Sequence, residues 1–79
     1  MKDTRYDIDI TREGTLADYK NGFLIPFEYH SEENSKTQAI KEAKHLLTCG
    51  KFAGVRVVKV TGLIEENPAP TDIFIQFKI

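Results

Sequence analysis

Residues 35–50 read SKTQAIKEAKHLLTCG, and their spacing decides the fold class. Ala39, Ile40, Ala43, Leu46 and Leu47 recur at three- and four-residue intervals, which draws one narrow apolar stripe along a helix. Ser35-x-x-Gln38 has the form of a capping box: the serine hydroxyl accepts from the Gln38 amide and the glutamine side chain reaches back. Gly50 supplies a C-terminal position where positive φ carries no Cβ penalty. Together these signals predict a helix over about residues 36–49.

On both sides of this helix the period changes from 3.6 to 2. In residues 4–11, Tyr6, Ile8 and Ile10 share one face and Arg5, Asp7, Asp9 and Thr11 the other, as in a half-buried strand. Residues 23–30 alternate in the same way, with Phe23, Ile25, Phe27 and Tyr29 against Leu24, Pro26, Glu28 and His30. Pro26 donates no ladder hydrogen bond, which places that strand at an edge or at a bulge. Between these strands stand Glu13-Gly14 and Asn21-Gly22, and Asn-Gly is a strong hairpin signal because both residues tolerate φ > 0. Residues 15–20 read either as an extra short strand or as loop. Ser31 to Asn34 reads as a polar connection.

After the helix, GVRVVKVT at 54–61 is β-branched, with Val55 and Val57 on one side and Val58 and Val60 on the other. Either both faces are covered or a bulge shifts the phase near Val57. Residues 71–79 place Ile73, Ile75, Phe77 and Ile79 on one face and Asp72, Phe74, Gln76 and Lys78 on the other. The pattern predicts an α+β two-layer sandwich, β-β-α-β-β, with a mainly antiparallel four-stranded sheet under one helix. Its inward sheet face is expected to hold Tyr6, Ile8, Ile10, Phe23, Ile25, Phe27, Ile73, Ile75 and Phe77.

Size and composition narrow the function. At 79 residues the chain supports one domain, spanning 1–79, with a thin core. No apolar run approaches a membrane span, and MKDTRYDIDI at the start lacks the apolar region of a secretory signal. One cysteine points to a reducing, cytoplasmic setting. The net charge is −1, which argues against a dedicated polyanion binder, but the charges are unevenly placed. Residues 1–34 carry four bases and eight acids, whereas residues 35–63 carry six bases and one acid. That basic block is Lys36, Lys41, Lys44, Lys51, Arg56 and Lys59, a candidate anion or nucleic-acid patch.

Residues 39–60, AIKEAKHLLTCGKFAGVRVVKV, resemble a pattern in small uncharacterised bacterial and phage proteins. In those, a helix of the form A-x-x-x-A-x-x-L ends at Gly and leads through an aromatic into "AGVRVV"; here that is Gly50, Phe52 and Ala53 to Val58. The resemblance implies a small α+β protein and brings no activity with it.

Chemistry-bearing residues are sparse. Cys49 sits at a helix C-terminus, whose dipole has the wrong sign to favour a thiolate. His45 and Cys49 lie at i, i+4, but with Glu42 and His30 they lack the close ligand pairs of a zinc site. Asp7, Asp9, Asp18, Glu28 and Asp72 are placed by parity on a wet face, where carboxylates keep a sheet soluble and discourage edge pairing. No phosphate loop or nucleophile elbow occurs. Neither an enzyme nor a cofactor is expected. What stands out is apolar residues on the nominally outer sheet face: Leu24, Pro26, Val58, Val60 and Phe74. Contiguous, they mark an interface with a protein partner or a second copy. The leading expectation is a non-catalytic protein-binding module acting through a sheet face or strand edge, whether as a homodimer or as an inhibitor carried by a mobile element. The alternative is a nucleic-acid accessory protein using the basic block, and no membrane role is expected.

Overall fold

The structure, a computed structural model, describes residues 4–61 and 71–78. It is α+β: four antiparallel strands form one sheet, with one helix packed on it and a second, short helix beside it. The strands are β1 (Thr4–Thr11), β2 (Glu28–Glu33), β3 (Gly54–Thr61) and β4 (Thr71–Phe77); the helices are α1 (Leu16–Lys20) and α2 (Lys36–Thr48). The sheet order is β2-β1-β3-β4, so the two strands richest in buried residues lie in the centre.

α2 matches the stripe. Ser35 is its N-cap, with its hydroxyl accepting from the Gln38 amide at 3.4 Å, and Gly50 follows the C-cap at φ 79°. Ala39, Ala43 and Leu46 are buried against Ile8, Ile10, Val55 and Val57. Ile40 and Leu47 lie at the margins of that cluster rather than at its centre. No helix among the described residues is long and apolar enough to cross a membrane.

The element order departs from β-β-α-β-β, because α1 stands between the first two strands. Residues 15–20 form neither a strand nor a loop. Thr15 accepts from the Asp18 amide at 3.1 Å while Asp18 accepts from the Thr15 amide at 3.1 Å, a complete capping box. Asn21-Gly22 then ends a helix instead of turning a hairpin. Gly22, at φ 80°, donates its amide to Tyr19 and Phe23 donates to Asp18, the paired bonds of a Schellman cap. Both turn types need φ > 0, so the same dipeptide serves either.

The second strand begins later than residue 23. Pro26 centres a tight turn in which the Phe27 amide donates to the Ile25 carbonyl at 2.8 Å, and the ladder starts at Glu28. The Ser31–Asn34 stretch accordingly supplies strand residues up to Glu33.

A bulge corrects the phase of β4. Val57 pairs with Phe74, but Val58 pairs with Asp72, leaving Ile73 as the extra residue. Phe74 therefore shares the helix side with Val57, while Ile75 pairs with Arg56 and Phe77 with Gly54 on the opposite side. The expected inward face is thus wrong for Ile75 and Phe77. It is also wrong for Phe23, which is exposed, and for Phe27, whose ring lies tilted against Phe77 at 6.1 Å.

Both sheet faces are covered in part. On the face away from α2, Tyr19 of α1 and Phe27 close over Phe77, with centroids 6.2 and 6.1 Å away. Gly54 makes room for that ring. A Cβ at residue 54 would lie 2.5 Å from Phe77 Cδ2, 2.7 Å from Cε2 and 3.3 Å from the Gln76 carbonyl oxygen. Because two aromatics hold the Phe77 ring, it has little freedom to retreat. Gly54→Ala is expected to cost about 1–3 kcal/mol through overpacking, a fall in Tm of at least several degrees. A thermal melt checks it, and an unchanged Tm would mean that the ring is not held.

Candidate functional site

Three features of the surface carry chemistry. The first is a polar pair under the second face. Asp9 and Arg56 are opposite each other on β1 and β3, and Asp9 Oδ2 accepts from Arg56 Nη2 at 2.6 Å and from Nε at 3.1 Å. The guanidinium lies 4.3 Å from the centre of the Phe27 ring. Asp9 is only 7% exposed, so the expectation of a wet carboxylate is corrected there: the α1 loop covers the strand pair. A carboxylate neutralised by a two-point guanidinium contact is a structural tie, not a poised acid or base. Arg56 also approaches Asp72 at 4.0 Å.

The second feature is the loop after α1. Its residues alternate in role. Ile25 packs against Gly14 and Phe27 against Phe77, while Phe23 is 64% and Leu24 97% exposed. Two shallow grooves flank this knuckle. One, of about 220 Å³, lies beside Gly14, Asp18 and Pro26; the other, of about 290 Å³, lies beside Tyr19, Phe27 and Arg56. The Schellman cap and the Pro26 turn hold the tip from both ends.

The third is a groove of about 470 Å³ along α2, lined by Lys36, Thr37, Ile40, Lys41 and Lys44. Helical spacing puts these residues on one flank. It is the flank facing β4, since the Lys44 ammonium lies 5.7 Å from the Phe74 ring centre. The opposite flank meets β2 in a groove lined by Glu33, Gln38, Lys41, Glu42 and His45.

The candidate interface does not come together as one patch. Leu24 and Pro26 belong to the exposed loop; Val58 is buried; Val60 is half-buried; and Phe74 sits on the other side of the sheet under Lys44. The bulge at Ile73 is the physical reason for the last. The basic block divides similarly. Lys36, Lys41 and Lys44 share one groove, Lys51 lies beyond the helix end, Lys59 is on β3, and Arg56 is held by Asp9 on the opposite face.

Phe23 and Tyr19 are the surface residues that strand parity misses. Thr15-x-x-Asp18 ahead of Asn21-Gly22 was the signal that would have found them, because it brackets one helical turn. Elsewhere the polar surface pairs locally. On β2 the Tyr29 hydroxyl donates to Glu32 at 2.7 Å, which raises the phenol's pKa above its ordinary value. Arg5 is raised likewise by its hydrogen bond to Asp7 at 3.0 Å. Among the described residues no three His, Cys, Asp or Glu side chains gather as a metal would need. Comparison with protein-family models, curated proteins and solved structures finds no match to this chain.

Proposed function

We propose that this chain is a small, non-catalytic protein-binding module, and that residues 23–26 are the part it presents to a protein partner with an apolar cleft. The observation that carries the reading is the exposure of Phe23 and Leu24 at the tip of a loop anchored on both sides. Adjacent large apolar side chains held out in water gain nothing for the fold, whereas at an interface one Phe buries on the order of 150 Å² or more. Ile25 and Phe27 fix the backbone beneath the tip, so little conformational entropy remains to be lost on binding. The neutralised Asp9–Arg56 pair is consistent with a module that binds without catalysis. A single exposed thiol, Cys49, suits a reducing cytoplasmic setting. Nucleic-acid binding through the basic block has less support, because its one arginine faces away from the lysine groove and is already paired.

Leu24→Ser tests this. Its effect on stability is expected within about 0.5 kcal/mol, as for other exposed positions. A partner captured by crosslinking from the native host and identified by mass spectrometry should lose about thirtyfold in affinity, the signature of a hot spot. Light scattering on the wild type separates a second copy from a different protein. A variant that keeps its partner at full affinity sinks the proposal.

A further inference from the structure

The two edges of the sheet are unequal. β2 is guarded by Glu28, Glu32 and Glu33 and broken by a bulge at His30, between the Tyr29 and Ser31 pairings. Charge and irregularity are what discourage strand addition, and two β2 edges would bring their glutamates together. β4 lies at the opposite edge with the sequence TDIFIQF, in which Asp72 is the single charge. Its bulge at Ile73 is toward the start of the strand, leaving Phe74 to Phe77 in regular register with β3. Among the described residues β3 is its one neighbour. The ladder fixes which backbone groups this edge offers. The Lys78 amide donates to the Ala53 carbonyl at 2.8 Å and so points at β3. Amides alternate along a strand, which turns those of Gln76 and Phe74 toward β3 as well and those of Phe77 and Ile75 outward, each with its own carbonyl.

Side chains alternate with the same period. Gln76 pairs with Val55 and Phe74 with Val57, which puts both on the α2 side, and Ile75 and Phe77 point the other way. Gln76 is exposed, so α2 leaves the edge open at that point. We propose that β4 is the edge through which two copies of this chain pair, antiparallel about a two-fold axis at Gln76, so that the sheet runs continuously across both. This contact is separate from the loop at 23–26 and does not depend on it.

The edge selects this register. Pairing Ile75 of each copy with Phe77 of the other exchanges both backbone bonds of that pair, and the two-fold repeats it, so the outward groups of both residues are satisfied in both copies. Moving the axis to Ile75 sets Phe77 against the bulge at Ile73, where the ladder is broken, and a shift by one residue puts side chains on opposite faces. With the axis at Gln76, Ile75 meets Phe77 on one face. On the other, Phe74 meets the aliphatic stem of Lys78 and the two Gln76 side chains face each other, so no like charges stand directly opposite. A foreign strand has to match this row by its own sequence, whereas a second copy matches it by symmetry. The contact is shorter than a standard interface, which places association on the order of 100 μM protein.

Sedimentation over a concentration series decides it. The wild type is expected to pass from monomer to dimer on the order of 100 μM. Gln76→Lys and Gln76→Glu each set like charges opposite one another across the axis, at an exposed position, and should weaken the dimer by about tenfold or more with melts little changed. An equimolar mixture of the two should associate at least as tightly as the wild type. In a Cys49→Ser background, Gln76→Cys should form an intermolecular disulfide about tenfold or more faster than Lys78→Cys. A facing, non-hydrogen-bonded pair has its Cα atoms about 4.5 Å apart, within disulfide range, whereas the two Lys78 positions are offset along the strands by about 13 Å. Leu24→Ser should leave the dimer unchanged, which separates this contact from one through the loop. A wild type that stays monomeric at about 1 mM, a dimer lost in Leu24→Ser, or charge variants that associate as the wild type does, alone or mixed, overturns the pairing. Equal crosslinking of the two cysteines overturns the register.

Discussion

Ala43→Asp is expected to abolish the cooperative unfolding transition. Ala39 and Ala43 are fully buried where α2 crosses the central strands, in contact with a cluster that includes Ile8, Val55 and Val57. Alanine at these two positions lets the helix lie close on the sheet, so a larger side chain has no room and a carboxylate there has no water. An unpaired buried carboxylate costs several kcal/mol, and a core this small rarely supplies more than about 3–5 kcal/mol in all. Ile40→Asp is expected to do less damage. Ile40 lies on the flank of α2 beside Lys36 and Lys44, at i±4, where a carboxylate reaches both solvent and cations. Thermal melts followed by circular dichroism check the pair: no transition for Ala43→Asp, a lowered but cooperative one for Ile40→Asp. A native-like melt for Ala43→Asp would show that the alanines do not face the core.

The contrast shows where the fold was legible. The helix stripe, its serine cap and Gly50 are local signals, and α2 follows them to within a residue. β1 was equally readable; β3 was readable as a strand, but its valines left covered faces and a bulge both open, and the pairing settles it by placing Ile8 on Val57 and Ile10 on Val55 without interruption. Parity failed wherever one residue was added. The extra residue at Ile73 carried Phe74 from the outer face to the helix side, and nothing in TDIFIQF marks a bulge. The loop failed for a different reason. Asn21-Gly22 announces positive φ but not what precedes it, and the Thr15–Asp18 box that makes it a helix end begins six residues upstream. The alternation of 23–30 is real, but it distributes side chains between a covered sheet face and solvent rather than between two faces of a strand. The lysine groove was half legible. Helical spacing put Lys36, Lys41 and Lys44 near one another, but only the sheet pairing shows that Arg56 faces the other way.

That arginine leads to the second large effect. Asp9→Asn is expected to cost about 1–3 kcal/mol, because it removes the near counter-charge of a partly shielded guanidinium and leaves it only Asp72, 4.0 Å away. The two donors of Arg56 converge on one oxygen of Asp9, so the neutral amide loses the charge-assisted part of both bonds at once. Adding Arg56→Met should restore much of the loss. Methionine retains an apolar stem against Phe27 and brings no charge to be compensated, so the double variant is expected to be more stable than Asp9→Asn alone. Chemical denaturation of the two single variants and the double variant gives the coupling directly, and additive costs would show that the pair is not a unit. Because the pair lies beneath the loop, high salt should weaken it little. The same cycle bears on function. Arg56 joins the sheet to Phe27, and Phe27 is one of the two anchors that hold Phe23 and Leu24 in place. Asp9→Asn should therefore loosen the tip before the core melts, which amide hydrogen exchange at Phe23 and Phe27 detects as lost protection at temperatures where β1 and β3 remain protected.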